Sequence, residues 1–369
     1  MNFGKRPVLV LGHGVRASGA DASLLLELGI PVLTSWQAAD LVDNWHPMYY
    51  RRPGIYGQRC ANRILYEADQ VIAIGCRLTP WMIGHAGLRA DQRLTMVDID
   101  GTEVARFPQA AWINMDAAEY IARMEMPYGF ARPTWECQCN VWKSQYPWIE
   151  AAHADANGYM NSYRFMEKLQ ERLKPDSIIV TDVGANMCPA FQVLRLKPPQ
   201  RLMTSGGLGE MGCALPAAIG ASFATGKGEV IVIAGDGGLL MNVQELQTIV
   251  HHNLPVKIIV FCNDGYAMIK GTHKNLRFPY IGVDKASGVS MPDFHRLANG
   301  FGIAARDAHN WNDVRIALPE LMNYEGPALL QVSIDPEQAY VPRLQPKIAA
   351  DGTITPALFH ELSPLPCAA

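Results

Sequence analysis

The sequence Gly235-Asp236-Gly237-Gly238 directly follows an apolar stretch, Glu229 to Ala234, of the kind found in buried parallel strands. A second such stretch, Val256 to Cys262, runs into Asn263, and Met241 to His252 between them carries apolar residues at helical spacing. The pattern predicts a strand–helix–strand unit. Because parallel strands end at one edge of a sheet, we expect Asp236 and Asn263 to lie together where open α/β sheets bind ligands.

Oxygen-bearing side chains and closely spaced glycines indicate the kind of ligand at this edge. A carboxylate and an amide without a neighbouring thiolate suit Mg²⁺, which keeps several waters and is shared with phosphates. Glycines allow backbone N–H groups to approach a diphosphate closely. The alternative is structural: Asp236 caps the following helix and Asn263 forms a turn.

The same residues resemble the signature of thiamin-diphosphate-dependent enzymes, in which Gly-Asp-Gly is followed by Asn just under thirty residues later. Here Asp236 and Asn263 are 27 positions apart. The resemblance implies that Mg²⁺ is bound by the side chains of Asp236 and Asn263 and by the main-chain oxygen of Gly265. It also implies that the flanking residues contact the cofactor: Gly235, Gly237, Gly238, Tyr266, Ala267 and Met268.

The segment Ser205 to Gly220 resembles the stretch that precedes this motif in acetolactate synthases. We predict a glycine-rich loop that enters a helix of small residues. The resemblance implies that the Gly209 carbonyl bonds the 4′-amino group of the cofactor. It also implies that Met211 wedges between the two cofactor rings and imposes a bent shape, which an unbranched Met suits. Core filling is the alternative for Met211, and Glu210 stands where a small hydroxyl residue is common.

The stretch Thr181 to Asn186 follows another predicted strand, Ser177 to Val180. The resemblance places Gly184, Ala185 and Asn186 at the terminal phosphate of the cofactor, where relatives often have Gln or His. Asn can donate a hydrogen bond to a phosphate, and a turn residue is the alternative.

Two later segments concern the substrate. Ser287 to Phe294 resembles acetolactate-synthase-like proteins of surface-polysaccharide gene sets, which need not make acetolactate. Four polar residues follow the second motif: Lys270, Thr272, His273 and Lys274. They are candidates to face the substrate, and exposure to solvent is the alternative.

Alternating strands and helices predict an α/β fold with two Rossmann-like parallel-sheet domains. The predicted parts are a central domain at 1–127, a linker at 128–161, a diphosphate-binding domain at 162–340 and a C-terminal tail at 341–369. In the central domain we expect four strands: Pro7 to Leu11, Pro31 to Thr34, Gln70 to Ile74 and Leu94 to Ile99.

The resemblance also allows FAD in the central domain. Six residues lie at strand ends where relatives contact the dinucleotide: Gly12, Gly14, Arg16, Arg77, Asp98 and Asp100. Glycines at the start of a helix suit a pyrophosphate. Simple strand-to-helix turns are the alternative, because the Arg-Phe-Asp-Asp-Arg run of acetolactate synthases does not follow Gly75 and many relatives hold no flavin.

Composition argues against several classes of partner. A net charge of −3 without a basic run gives no reason to expect nucleic acid, and no apolar stretch approaches the ~20 residues of a membrane span. The chain does not start like a signal peptide. The eight cysteines are scattered, and the spacing of Cys137 and Cys139 fits neither zinc nor thioredoxin motifs. Buried free thiols predict a reducing, cytoplasmic location.

The resemblance implies decarboxylation of a 2-keto acid and transfer of the acyl group to a second carbonyl. Simple decarboxylation and cleavage of a 2-hydroxyacyl compound share the same motifs, and a non-catalytic regulatory or assembly subunit is an alternative of another class. Relatives begin with a pyrimidine-binding domain whose glutamate activates the cofactor, whereas Met1 falls where the central domain should begin. We therefore expect a pyrimidine-domain partner, as a separate subunit or a missing N-terminal part, in a homo- or hetero-oligomer.

Overall fold

The computed structural model of the protein describes residues 4–124, 132–348 and 353–365. The chain forms two compact units. The first comprises Met1–Ala152, Arg195–Pro198 and Val341–Ala369, and the second comprises His153–Leu194 and Pro199–Tyr340. The predicted fold class is confirmed, because each unit is an α/β structure built on a parallel sheet.

The described strands of the first unit's main sheet are β1 (Pro7–Leu11), β2 (Val32–Thr34), β3 (Gln70–Ile74), β4 (Arg93–Val97) and β5 (Ala111–Ile113). They run parallel in the order β2-β1-β3-β4-β5. The described helices are α1 (His13–Ala17), α2 (Arg59–Glu67), α3 (Pro80–Ile83), α4 (Gly101–Val104), α5 (Ala117–Ala122) and α6 (Pro133–Gln145). Short 3₁₀ segments lie at Ala22–Leu28, Trp36–Ala38 and Ala151–His153.

The described strands of the second unit are β6 (Ile178–Thr181), β7 (Arg201–Met203), β8 (Val230–Gly235), β9 (Val256–Cys262), β10 (Ala304–Ala308) and β11 (Ala328–Ser333). They run parallel in the order β10-β11-β9-β8-β6-β7. The described helices are α7 (Ser162–Gln170), α8 (Met187–Val193), α9 (Ala214–Ala224), α10 (Asp236–Met241), α11 (Glu245–His251), α12 (Ala267–Leu276), α13 (Phe294–Gly300) and α14 (Trp311–Asn323). A 3₁₀ turn lies at Lys285–Ser287.

Strands β8 and β9 form the centre of the second sheet, and all but the last residue of each is buried. Val and Ile dominate both, as is typical of parallel strands covered on both faces. The register pairs Gly235 with Phe261, so that Asp236 and Asn263 follow at the same edge. The predicted strand–helix–strand unit is therefore confirmed.

The helix predicted from Met241 to His252 is wrong in its bounds, because α10 ends at Met241 and α11 begins only at Glu245. Asn242 interrupts the helical path, and its side chain donates to the Gly212 carbonyl oxygen at 2.8 Å. The tertiary hydrogen bond thus favours a break that apolar spacing alone does not reveal. The predicted end of β4 at Ile99 is also wrong, because the strand stops at Val97 before a turn.

Helix α6 and the C-terminal segment both contribute to the core of the first unit. Trp135 and Cys139 of α6 are buried there, and the Trp135 indole donates to the Pro7 carbonyl oxygen at 3.0 Å. Phe359 packs into the same core, and Asn62 Nδ2 donates to its carbonyl oxygen at 2.8 Å. Two short antiparallel pairs complete this part: β12 (Arg343–Leu344) with β15 (Leu362–Ser363), and β13 (Lys347–Ile348) with β14 (Ile354–Thr355).

Among the described residues, no helix combines the length and apolar character that a membrane crossing requires. The cysteines in that part of the chain are all free. Cys137 is exposed whereas Cys139 is buried, which agrees with an incidental pair on α6.

Candidate functional site

The candidate site lies at the carboxyl ends of β6, β8 and β9. The chain passes from β6 outward to β7, but from β8 in the opposite direction to β9, so the direction of the sheet reverses between β6 and β8. In doubly wound sheets such a reversal opens a crevice beyond the strand ends. Asp182, Asp236 and Asn263 directly follow these three strands.

Asp236 is 1% exposed, and its carboxylate accepts hydrogen bonds from backbone N–H groups. The donors are Gly237 (2.8 Å), Asn263 (3.0 Å) and Gly265 (3.2 Å). The two carboxylate oxygens therefore join the first turn of α10 to residues 263–266, here called the metal loop. Burial raises the pKa of Asp236 to about 6, and the backbone donors oppose this shift.

Asn263 is buried, and within residues 4–124, 132–348 and 353–365 its side-chain oxygen has no hydrogen-bond partner. Its Nδ2 donates to the Tyr340 hydroxyl at 3.4 Å, and the oxygen lies on the other side of the amide. Burial of an unpaired oxygen costs about 1–3 kcal/mol. Beside the Asp236 carboxylate, a divalent cation is the ligand whose chemistry matches both oxygens.

The metal loop requires glycine at position 265. Gly265 has a φ of +143°, and a Cβ there would lie 2.1 Å from the Val283 carbonyl oxygen. The same oxygen accepts a hydrogen bond from Tyr266 N at 2.8 Å. From the residues that the structure describes, the Gly265 carbonyl oxygen accepts one backbone bond, from Ala267 N at 3.2 Å, which leaves a second lone pair for a cation.

Asp182 anchors another part of the site and was not among the functional residues predicted from the sequence. It is buried and accepts a hydrogen bond from Gly212 N at 2.9 Å. A Cβ on Gly238 would lie 2.8 Å from Asp182 Oδ2, so the first turn of α10 packs directly on this carboxylate. Together with the bond from Asn242, the bond to Asp182 fixes the end of the loop 205–212 at Gly212. The sequence signal for Asp182 was an acid two residues after the end of a predicted strand, as at Asp236.

Asn186 uses its N–H groups within the protein. Its Nδ2 donates to the carbonyl oxygens of Asp182 and Ile233, both at 2.8 Å, and so joins the ends of β6 and β8. Its Oδ1 is buried and unpartnered among the described residues. A Cβ on Gly184 or Gly235 would lie 3.6 Å from that oxygen. In this arrangement the expected donation to a phosphate is not available, and Asn186 presents an acceptor instead.

The other predicted cofactor residues lie on the same loops. The half-buried ones are Gly184, Ala185, Met211, Gly235, Tyr266, Ala267 and Met268. A Cβ on Gly237 would lie 2.4 Å from the Tyr266 ring, which therefore packs on the first turn of α10. Gly209 is exposed, with a φ of +73°. The cofactor contacts predicted for Gly209 and Met211 stay predictions.

The donor set fits magnesium bound to a diphosphate. A carboxylate, an unpaired amide oxygen and a main-chain carbonyl are hard oxygen ligands, which Mg²⁺ prefers. In the described part of the chain, no group of three or more His, Cys, Asp or Glu side chains could hold a metal by itself. Oxygens from a phosphate ligand and water would therefore complete the shell here.

The strand ends of the first unit, where FAD was considered, do not offer a comparable site for a pyrophosphate. Gly12 N and Gly14 N donate to the carbonyl oxygens of Ile74 and Gly75, both at 3.0 Å. A Cβ on Gly12 would lie 2.0 Å from the Gly75 oxygen, so two backbone turns fill the space. The remaining side chains are also engaged: Arg16 with Asp40, Arg77 with Glu103, Asp98 with the Asp100 N–H, and Asp100 with Thr102. These contacts suit strand-to-helix turns.

Comparison with known proteins identifies both units. Residues 182–332 match the model of the thiamine pyrophosphate (thiamin diphosphate) enzyme C-terminal TPP binding domain. Residues 1–124 match the model of the thiamine pyrophosphate enzyme central domain.

Similar proteins are acetolactate synthase large subunits. The large subunit of acetolactate synthase isozyme 1 from Escherichia coli (strain K12) is 32% identical over 354 residues, which cover 95% of this chain and 62% of the relative. A probable acetolactate synthase large subunit from Methanococcus aeolicus is 31% identical, over 91% of this chain and 59% of the relative. The chain thus spans about 60% of the length of these relatives. It belongs to the thiamine pyrophosphate enzymes, of which it has the central domain and the C-terminal cofactor-binding domain.

Proposed function

We propose that the chain binds Mg²⁺ and thiamin diphosphate as the diphosphate-anchoring part of a 2-keto acid decarboxylase and carboligase. The observation that carries the proposal is the unpaired, buried oxygen of Asn263, a residue whose backbone N–H bonds the buried carboxylate of Asp236 at 3.0 Å. Similarity to acetolactate synthase large subunits supports the reaction class. The free thiols support a cytoplasmic location.

Thiamin diphosphate, when bound, supplies the nucleophilic carbon and the electron sink for decarboxylation. The protein's residues bind and orient it. Asp236, Asn263 and the Gly265 carbonyl would hold the cation that neutralises the diphosphate. Met211 would support the bent shape of the cofactor, and its neighbour Gly212 is fixed by Asp182 and Asn242.

Activity is proposed to need a pyrimidine-binding domain, supplied by another subunit or by additional N-terminal sequence in a homo- or hetero-oligomer. Exposed apolar side chains lie on the loops and helices next to the site: Leu208, Met241, Ile269, Leu276, Phe278 and Ile281. Leu208 is 88% exposed, which is costly for a side chain without a covering partner. These side chains are candidates for the surface that a pyrimidine-binding domain would cover.

Calorimetry with thiamin diphosphate and Mg²⁺ tests the site. We expect Asp236→Ala to abolish Mg²⁺-dependent binding, because the diphosphate keeps its charge but loses the cation that neutralises it. Asn263→Ala should have nearly the same effect. Wild-type affinity in both variants would refute the metal site.

Two other functions share these motifs. A simple decarboxylase would release an aldehyde from a 2-keto acid, and a 2-hydroxyacyl lyase would cleave a carbon–carbon bond, so identification of the products separates them from a carboligase. A non-catalytic regulatory or assembly subunit would bind the cofactor and show no turnover with any pyrimidine-domain partner. Flavin is not required by this proposal, and a colourless preparation that is fully active without added FAD would exclude it.

A further inference from the structure

Helix α12 follows directly after the metal loop, yet none of its residues is buried. Polar contacts therefore contribute to its attachment, together with the half-buried Ala267 and Met268. The contacts that carry this attachment centre on Lys270, which lies in the first helical turn and is only 14% exposed.

The Lys270 ammonium group forms two ion pairs. Its Nζ lies 3.2 Å from Asp284 Oδ2 and 2.6 Å from Glu337 Oε1. It also lies 5.5 Å from the centre of the Tyr280 ring. Charge-assisted hydrogen bonds of this kind are stronger than neutral ones when partly shielded from water. The Ser287 hydroxyl and then Lys270 hold the pKa of Asp284 below its usual value, and Lys270 does the same for the pKa of Glu337.

Val283 and Asp284 form a short segment that contacts the backbone of the metal loop. Gly265 and Asp284 form an antiparallel bridge, and Tyr266 N donates to the neighbouring Val283 oxygen at 2.8 Å. Asp284 therefore pairs with the Lys270 side chain and also with the Gly265 backbone. Asp264, Lys270 and Asp284 line a cavity of about 350 Å³ beside the loop.

We propose that Lys270 is a positioning residue for the divalent cation, because it clamps the Asp284 segment against Gly265 and so fixes the main-chain ligand of the metal loop. The inference rests on the proposed magnesium site. Partners behind the ligands orient a metal site, and their removal typically weakens metal affinity by ~10–100-fold.

Binding of Mn²⁺ in the presence of saturating thiamin diphosphate, measured by calorimetry on the whole chain, tests this role. Lys270→Met keeps most of the aliphatic stem but removes the charge, and we expect the Kd for Mn²⁺ to rise about 10-fold. Lys270→Arg should restore most of the affinity. Lys274→Met is the matched control, because Lys274 also pairs with Glu337, at 3.1 Å, but is 63% exposed. Its Kd should stay within about twofold of wild type, below the range expected for an orienting partner.

The melting temperature without ligands separates positioning from folding. We expect the Lys270→Met and Lys274→Met proteins to melt close together, while only the first loses metal affinity. Asp284→Asn, which keeps an oxygen for the turn at Ser287, should reproduce the loss if Lys270→Met fails to fold. If the wild-type chain binds Mn²⁺ and either Lys270→Met or Asp284→Asn binds it equally well, the positioning role of Lys270 is overturned. The proposed magnesium site itself is not affected by that result. A wild-type chain that binds no Mn²⁺ overturns the magnesium site as well.

Discussion

At the scale of single residues, the site is recognisable by buried polar atoms that lack hydrogen-bond partners. The oxygens of Asn186 and Asn263 are both without partners in the described residues. The sequence predicted the neighbourhood of Asp236 and Asn263 because strand ends in a parallel sheet align. It could not predict which way each amide points, because that depends on the backbone carbonyls and the Tyr340 hydroxyl that surround it.

Tyr340 gives a prediction about amide orientation. In Tyr340→Phe the Asn263 amide loses its hydroxyl partner and can rotate away from the cation, so Mg²⁺-dependent cofactor affinity should fall by about 10-fold, at the low end for an orienting partner. Calorimetry at saturating thiamin diphosphate measures it. Tyr159→Phe is the control, because that side chain is exposed. Equal affinity in the two variants would show that Tyr340 does not orient the amide.

Two helical glycines differ in the room available for a Cβ atom, which gives a matched pair of predictions. Ala at position 238 would bring a Cβ to 2.8 Å from the Asp182 carboxylate, whereas Gly220 in α9 has no heavy atom that close. We expect Gly238→Ala to lower the free energy of unfolding by about 1–3 kcal/mol through overpacking. Gly220→Ala should raise it by roughly 0.5–1 kcal/mol through helix propensity. Denaturant unfolding measures both, and a stabilised Gly238→Ala protein would contradict the packing.

At the scale of elements, strands were easier to predict than helices. The bounds of β1, β3 and β9 agree with the apolar stretches in the sequence, since a strand buried on both faces is apolar throughout. The break between α10 and α11 could not be predicted, because it depends on a hydrogen bond from Asn242 to Gly212, 30 residues away. Local spacing carries no information about such a contact.

Asn242 gives a prediction at this scale. Asn242→Ala removes the bond to the Gly212 carbonyl and should loosen the loop that carries Met211, at a cost of about 1 kcal/mol in the free energy of unfolding. Cofactor affinity should fall, while Mg²⁺ remains required. Gln244→Ala is the control, since the described contact of the exposed Gln244 side chain is with Asn242 itself. A loss of the same size in both variants would mean that the loop is anchored elsewhere.

At the scale of the whole molecule, the sequence indicated two α/β units. It did not indicate that segments distant in sequence pack into the core of the first unit. The C-terminal segment lacks regular apolar spacing, yet Phe359 packs into the core of the first unit. Helix α6 does the same through Trp135. The packing of these segments depends on tertiary contacts of single side chains. The periodic pattern of apolar residues does not predict such contacts. The two family models match the two units, and the relatives are longer than this chain.

This chain alone, saturated with Mg²⁺ and thiamin diphosphate, should turn over 2-keto acids poorly. In the proposed enzyme this chain would anchor the diphosphate, and the pyrimidine-binding domain would supply the glutamate that activates the cofactor. General acid–base help of this kind is worth typically ~10²–10⁴-fold in rate. Adding the domain, as a separate polypeptide or fused before Met1, should give assembly and pyruvate consumption, followed by product analysis. A Glu→Gln change in the added domain should then reduce the rate while assembly persists in gel filtration. Rapid pyruvate consumption by the chain alone would mean that the activating acid lies within these residues.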